Sequence, residues 1–264
     1  MVNGSAWMLD TYLAIISLLV GSFLNVVIYR VPRRGSIVRP PSHCPACGHV
    51  LRAWELIPVL SWLVLRGRCH ACSSRIAWRY PAMELLTLAL SLCVLWKVGL
   101  HWIVLPSLFL TWTLLALSAI DLETHLLPDR ITKPGMVLGL LVNASWYWNI
   151  HHGIALATPL DALLGLVVGF GGLWLFAGAY RLLSGHHGMG GGDIKLLGMI
   201  GACLGWQSML LSLWAAGLLG GVVAIAYLLV GKGRHFAIPF GPFLALGALY
   251  SMLYASAVLS ALPF

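Results

Sequence analysis

The fold of this 264-residue chain is decided by stretches such as WIVLPSLFLTWTLLALSAI, which occupies residues 102–120 and is followed at once by Asp121. A mostly apolar run of about 20 residues is long enough to cross the hydrocarbon core of a bilayer as one helix. The whole chain has this character, since 60% of its residues are hydrophobic, 9% are charged and the mean hydropathy is +0.90. Soluble domains do not have this balance, so the sequence predicts a membrane protein.

Apolar runs recur along the chain outside one long polar segment. Such runs span a membrane as helices, because a helix satisfies all its backbone hydrogen bonds internally. We therefore predict an all-α polytopic membrane protein with about eight transmembrane helices, the fourth and sixth of them short. The predicted spans are about residues 9–29, 81–100, 102–120, 135–150, 159–180, 194–206, 208–230 and 236–262.

The basic residues predict the orientation. Nine of the sixteen Lys and Arg residues lie between Arg30 and Arg79, in the long polar segment. With eight spans, almost all the other basic residues fall on the same side, which the positive-inside rule makes cytoplasmic. The net charge of +8 is then explained by loops that face anionic membrane lipid, and it does not indicate binding of nucleic acid.

The same polar segment contains two C-x2-C pairs, Cys44–Cys47 and Cys69–Cys72, separated by 21 residues. Two such pairs can provide the four thiolates that zinc binds in tetrahedral geometry. Four thiolates leave no open position for water, so a structural zinc knuckle is predicted rather than a catalytic metal. A redox-active dithiol is the alternative, and structural disulfides are disfavoured on a cytosolic face.

Two aspartates stand at the ends of apolar runs, Asp121 after residues 102–120 and Asp193 within MGGGDIK at 189–195. Ionisable groups at membrane depth are costly and indicate function. Two carboxylates that meet can share one proton, which is the working state of an aspartic protease. We therefore predict a membrane-embedded hydrolase. The alternative for Asp193 is a helix N-cap.

Other classes of protein remain open from these residues. A transporter could use the two aspartates as a proton relay. A membrane thiol oxidoreductase could use the C-x2-C pairs, and an inactive scaffold could retain all of these residues. Glu123 and Asp129 are predicted to be non-catalytic, with Asp129 a cap or turn residue, and His186 and His187 to be solvated loop residues.

The chain resembles the bacterial prepilin peptidases, which are inner-membrane GxGD-type aspartic proteases that mature type IV pilins. The resemblance lies in six stretches in the family's order. These are GSFLNVVIYR at 21–30, IPVLSW at 57–62, RYPAMELL at 79–86, residues 120–129, residues 190–205 and IPFGPF at 238–243.

The resemblance implies an endopeptidase that removes the basic leader of type IV prepilins and type II secretion pseudopilins after a glycine, on the cytoplasmic side of the bacterial inner membrane. By position, Asp121 and Asp193 match the catalytic aspartates. Gly190, Gly192 and Lys195 belong to the loop that would accept the substrate backbone, although the residue itself favours an interface lysine at position 195 over a substrate contact.

The resemblance also implies N-methylation of the new N-terminus with S-adenosylmethionine, at a site near Glu55 and Gly67. Divided by role, residues 1–30 are the first transmembrane helix, 31–80 a cytoplasmic zinc-binding loop domain, and 81–264 the membrane peptidase domain.

Overall fold

The computed structural model describes residues 6–145, 157–185, 190–230 and 238–261. Within these ranges the regular structure is helical, apart from two isolated β-bridges that pair His43 with Val50 and Arg68 with Arg75. The chain divides into two compact units, residues 1–100 and 101–264. His186 and His187, which are predicted to be solvated loop residues, lie outside the described residues.

The first unit is built on two long helices, α1 (Ala6–Arg30) and α3 (Arg79–Val98). They pack closely at Gly21, where an added Cβ would lie 2.8 Å from the Cα of Glu84. Helices within lipid associate without a hydrophobic driving force between them, so they depend on close packing. Small residues at a crossing allow that close approach.

The polar segment between these helices has a 3-10 turn (Ala53–Leu56) and the short helix α2 (Leu60–Val64). Val59 precedes α2 with φ 60° and ψ −49°, and the Leu60 N–H donates to the Pro58 carbonyl at 2.5 Å. This is a strained γ-turn for a β-branched residue. It is held by the Val59 N–H, which donates to the Glu84 carboxylate at 2.7 Å.

The second unit contains the remaining helices that the structure describes. They are α4 (Val104–Thr124), α5 (Asp129–Ser145), α6 (Pro159–Leu166), a π-helical turn (Val167–Gly172), α7 (Leu173–Ser184), α8 (Gly191–Leu229) and α9 (Gly241–Ala261). Helix α8 packs against α5, α6 and α9. Its first half is buried almost all round, so it forms the core of the unit.

The prediction of an all-helical membrane protein is confirmed. Five helical segments are long and apolar enough to cross a membrane, and Gly241–Ala255 is a shorter apolar helix. The number eight was approximate for two reasons. The predicted spans 194–206 and 208–230 are two halves of α8, and the helix at the fourth predicted span begins at Asp129 with charged residues. The five segments are Asp10–Arg30, Arg79–Val98, Val104–Thr124, Pro159–Ser184 and Gly191–Leu229.

Helix α8 is broken at Gly205, which has φ 82°. A break of this kind frees backbone carbonyls on its N-terminal side, and a buried carbonyl needs a donor. The Asn143 amide donates to the carbonyls of Ala202 at 3.0 Å and Cys203 at 2.9 Å. The side-chain oxygen of Asn143 accepts from the Ala157 N–H at 3.2 Å. This one buried side chain therefore holds the kink.

Candidate active site and metal centre

Asp121 lies in the last turn of α4 and is only 5% exposed. Its Oδ2 accepts a hydrogen bond of 2.9 Å from the backbone N–H of Gly241, the first residue of α9. A helix N-terminus carries free N–H groups and a partial positive charge, so it is a natural partner for a carboxylate. An added Cβ at Gly241 would lie 2.7 Å from the same oxygen, so the absence of a side chain allows this contact.

Asp193 lies in the first turn of α8 and is partly exposed. Its N–H donates to the Gly190 carbonyl at 3.1 Å, and the N-cap of α8 is Gly190 rather than Asp193. The interpretation of Asp193 as an N-cap is therefore wrong. Asp121 and Asp193 lie within range of a charge–charge interaction, so the structure brings the two predicted aspartates into the same region.

Two of the three glycines before Asp193, Gly190 and Gly192, allow a close approach of neighbouring atoms. Gly190 has an ordinary extended conformation, φ −67° and ψ 134°. An added Cβ on it would lie 3.0 Å from Oδ2 of Asp193. A Cβ on Gly192 would lie 2.9 Å from the Cβ of Leu127. Side chains at these positions would fill the space beside Asp193 and push α8 away from the segment that precedes α5.

Lys195 is engaged by an acidic partner. Its ammonium lies 2.5 Å from Oδ1 of Asp129, and the ammonium of Lys133 lies 2.8 Å from Oδ2. These two cations, Lys133 foremost, hold the pKa of the Asp129 carboxyl below its usual range. Asp129 is the first residue of α5, so it lies next to the predicted cap position rather than in a turn. The ion pair with Lys195, 66 residues away, was not predicted.

The four cysteines of the polar segment come together. The sulfur atoms of Cys44, Cys47, Cys69 and Cys72 all lie within 4.8 Å of one another, and those of Cys44 and Cys72 are 3.8 Å apart. A tetrahedral site with zinc–sulfur distances of about 2.3 Å places its sulfurs roughly 3.8 Å apart. None of the four is in a disulfide. The donor set and its spacing fit a structural zinc ion held by these four thiolates.

The two halves of this cluster are built alike. The Gly48 N–H donates to the Cys44 carbonyl at 2.8 Å, and the Ser73 N–H donates to the Cys69 carbonyl at 2.9 Å. The Ser74 hydroxyl lies 3.5 Å from the Cys44 sulfur. That contact, with backbone N–H groups of the same turn, lowers the pKa of Cys44 to about 6. A thiolate is therefore available at neutral pH, as metal binding requires.

Glu55 is buried beside the cysteine cluster. Its Oε2 accepts from the Arg52 N–H at 2.7 Å and lies 3.1 Å from Nε2 of His49. The His49 carbonyl accepts from the Cys44 N–H at 2.9 Å, so Glu55 is linked to the zinc knuckle through His49. Its other oxygen, Oε1, is buried and has no hydrogen-bond partner among the described residues.

The unpaired oxygen of Glu55 fits a ligand with hydroxyl or ammonium donors, and S-adenosylmethionine has both. Gly67, the other residue predicted near that ligand, has a structural reason to be glycine. Its φ is +66°, and an added Cβ would lie 2.9 Å from the ring of Trp62. His49 and Gly241 were not predicted as site residues. The position of His49, two residues after Cys47, was a signal that could have identified it. The IPFGPF stretch was the corresponding signal for Gly241.

Two family models match this chain. A family model described as "Bacterial Peptidase A24 N-terminal domain" matches residues 15–98, and one described as "Type IV leader peptidase family" matches residues 108–225. No solved structure matches the chain significantly.

Curated relatives match nearly the whole chain. A Pseudomonas putida protein is 41% identical over 94% of this chain and 91% of its own length. A Neisseria gonorrhoeae protein is 42% identical over 87% and 85%, and an Aeromonas salmonicida protein is 38% identical over 98% and 95%. Each is named "Prepilin leader peptidase/N-methyltransferase". These matches define the chain as a membrane-embedded peptidase. The chain belongs to the type IV leader peptidase family.

Proposed function

We propose that this chain is an aspartic endopeptidase that removes the basic leader from type IV prepilins and type II secretion pseudopilins. It cuts after a glycine on the cytoplasmic side of the bacterial inner membrane, and it then N-methylates the new N-terminal residue. The observation that carries the proposal is that Asp121 and Asp193, two carboxylates at the ends of apolar helices, lie within range of a charge–charge interaction. The names of the relatives support the choice of substrate.

In the proposed reaction the two aspartates act as a pair that holds one proton. The ionised carboxylate takes a proton from water as the water oxygen attacks the scissile carbonyl, and the neutral carboxyl donates its proton to the carbonyl oxygen. The tetrahedral intermediate then loses the amine, which leaves with a proton from the pair. Because the protons belong to the pair, neither Asp121 nor Asp193 is assigned as the base.

The substrate enters the site as unwound backbone, since a peptide bond inside a helix is shielded by its neighbours. The loop that begins α8 supports this, because Gly190 and Gly192 leave space beside Asp193 that side chains would fill. We place Lys195 in the same substrate loop. The apolar helix that follows the leader of a prepilin would lie in membrane lipid, with the scissile bond at the membrane boundary.

Methyl transfer is assigned to the polar segment. S-adenosylmethionine supplies the methyl group when it is bound. Glu55 would hold a donor group of this ligand through its unpaired Oε1, and Gly67 would keep the adjoining loop in its tight turn. The zinc ion would fix this fold through its four cysteines, without taking part in either reaction. We divide the chain by role into three parts. An anchoring helix covers residues 1–30, a methyltransferase and zinc domain covers residues 31–80, and the peptidase covers residues 81–264.

The test is cleavage of a model prepilin in membranes by the wild type, Asp121→Asn and Asp193→Asn, read from the mass of the product. Both variants should lose cleavage with unchanged amounts of membrane-inserted protein. Asp10→Asn is the matched control, because Asp10 is exposed on α1, and it should retain full activity. Full activity of either active-site variant would rule out a two-aspartate mechanism.

The same product masses test the second activity. Glu55→Gln should give a cleaved product that lacks the added methyl group. If Glu55→Gln methylates as well as the wild type, the assignment of Glu55 to the methyltransferase site is wrong.

A further inference from the structure

The segment between α4 and α5 touches both aspartate-bearing helices. It leaves α4 four residues after Asp121, at His125, which has a left-handed conformation with φ 52°. Leu127 then packs against Gly192, at a distance that leaves no space for a Cβ. Asp129 follows and pairs with Lys195 of α8. A short connection from the helix of Asp121 is therefore fixed at two points to the helix of Asp193.

The side chain of Asp129 is 42% exposed, but its pair with Lys195 has supports that a usual surface pair lacks. Exposed pairs of long side chains are weak, because the side chains lose rotamer freedom for little gain. Here the carboxylate of Asp129 begins a helix, where its charge is favoured. Its second oxygen is held by Lys133. The side chain of Lys195 is 30% exposed, and its neighbours Ile194 and Leu196 are buried in the core.

Lys195 is not placed to act directly on Asp193. Residues two apart on a helix point to different sides, and the ammonium of Lys195 is already bound to Asp129 at 2.5 Å. The contact nevertheless fixes the first turn of α8, and Asp193 is part of that turn. Loss of the pair through a change at Asp129 would therefore change where the carboxylate of Asp193 lies without removing a residue that the proposed function places in the site.

We propose that Asp129 and Lys195 are positioning residues that set the distance between the carboxylates of Asp121 and Asp193. The effect on catalysis rests on the proposed function, whereas the effect on the distance does not. Because a misplacement of about 1 Å can cost roughly a hundredfold in rate, breaking the pair should lower kcat much more than it changes KM for a prepilin.

The distance is tested directly by cross-linking. Cysteines are placed by Asp121→Cys and Asp193→Cys in the full chain in membranes, and bifunctional thiol reagents of increasing length are compared by mass spectrometry of the linked peptides. Adding Asp129→Asn or Lys195→Met should shift the preferred reagent to a longer one, or spread the yield over several lengths. Lys133→Met is the matched control, since Lys133 pairs with the same carboxylate but lies within α5, and it should leave the pattern unchanged.

The kinetic test uses the natural aspartates. Asp129→Asn and Lys195→Met should lower kcat by about ten- to a hundredfold with KM changed less than about threefold, and Asp129→Glu and Lys195→Arg should restore most of it. An unchanged cross-linking pattern in Asp129→Asn and Lys195→Met overturns the proposal, even if the enzyme is a two-aspartate protease. An equal pattern change in Lys133→Met also overturns it, because the inter-helix contact would not be the cause. Cleavage that survives Asp121→Asn would instead refute the proposed function.

Discussion

The contact between Gly241 and Asp121 predicts that a single methyl group impairs catalysis without harming the fold. An added Cβ at Gly241 would lie 2.7 Å from Oδ2 of Asp121, whereas ordinary contact begins at 3.4 Å. The carboxylate of Asp121 must therefore move by about 0.7 Å in Gly241→Ala. Since about 1 Å of misplacement can cost roughly a hundredfold, kcat should fall by about ten- to a hundredfold.

The stability of the same variant should change little. Gly241 begins α9 and does not have a positive φ, so alanine fits its backbone and restricts the unfolded chain, which favours folding by about 0.4–1 kcal/mol. Some of this gain is lost to the contact with Asp121. The assay is prepilin cleavage at saturating substrate, with thermal unfolding of the same preparation in detergent.

Gly221→Ala is the control for this experiment. Gly221 lies in α8 with nothing within 4 Å of an added Cβ, so its variant should cleave as fast as the wild type. Wild-type kcat in Gly241→Ala would refute the reasoning, because it would mean that the position of the Asp121 carboxylate does not limit the reaction. A loss of folded protein in Gly241→Ala alone would also contradict it.

Three further results are expected. Asn143→Ala should lower the free energy of unfolding by about 1–3 kcal/mol, because two buried carbonyls at the kink of α8 lose their donor. Denaturant titration in detergent measures this change, and an unchanged midpoint would contradict the prediction. Chelation of zinc, or Cys69→Ser, should release the metal and unfold the polar segment, as seen by metal analysis and proteolysis, whereas Cys93→Ser should retain the metal.

The third result concerns pH. The Arg52 N–H, aided by His49, lowers the pKa of Glu55 from 4.5. A lowered pKa means that the carboxylate contributes stability above pH 4.5 and loses it as the pH falls through the lower value. Wild type should thus be more stable than Glu55→Gln at pH 7, with the difference vanishing in strong acid; a difference that grew in acid would be inconsistent.

The residues that sequence reasoning found are those whose chemistry is local or costly. A carboxylate beside an apolar run stands out, because burial in lipid is expensive, and this identified Asp121 and Asp193. The cysteine pairs stand out by spacing alone, and the structure brings all four together. Hydropathy likewise predicted the helical class, since apolar runs of this length are typical of membrane-spanning helices.

The contacts between distant elements were not predictable in this way. Gly241 and Asp121 are 120 residues apart, and Asp129 and Lys195 are 66 apart. In a soluble helix the apolar stripe indicates which face meets a neighbour, but a membrane helix is apolar on most sides. The sequence therefore predicts the helices but not which of them pack against each other. The break at Gly205 lies close to the predicted boundary between residues 194–206 and 208–230, but the amide that holds it comes from another helix and was not predicted.

The crossing of α6 and α8 is too tight to hold water. At this crossing an added Cβ on Gly201 would lie 2.2 Å from the carbonyl oxygen of Gly165, and one on Gly165 would lie 2.4 Å from that of Gly201. The gap cannot admit a water molecule, which needs a cavity of about one probe sphere. Gly201 lies eight residues beyond Asp193 along the same helix. The seam between these two helices therefore has no room for a column of water molecules at this depth of the helix that carries Asp193.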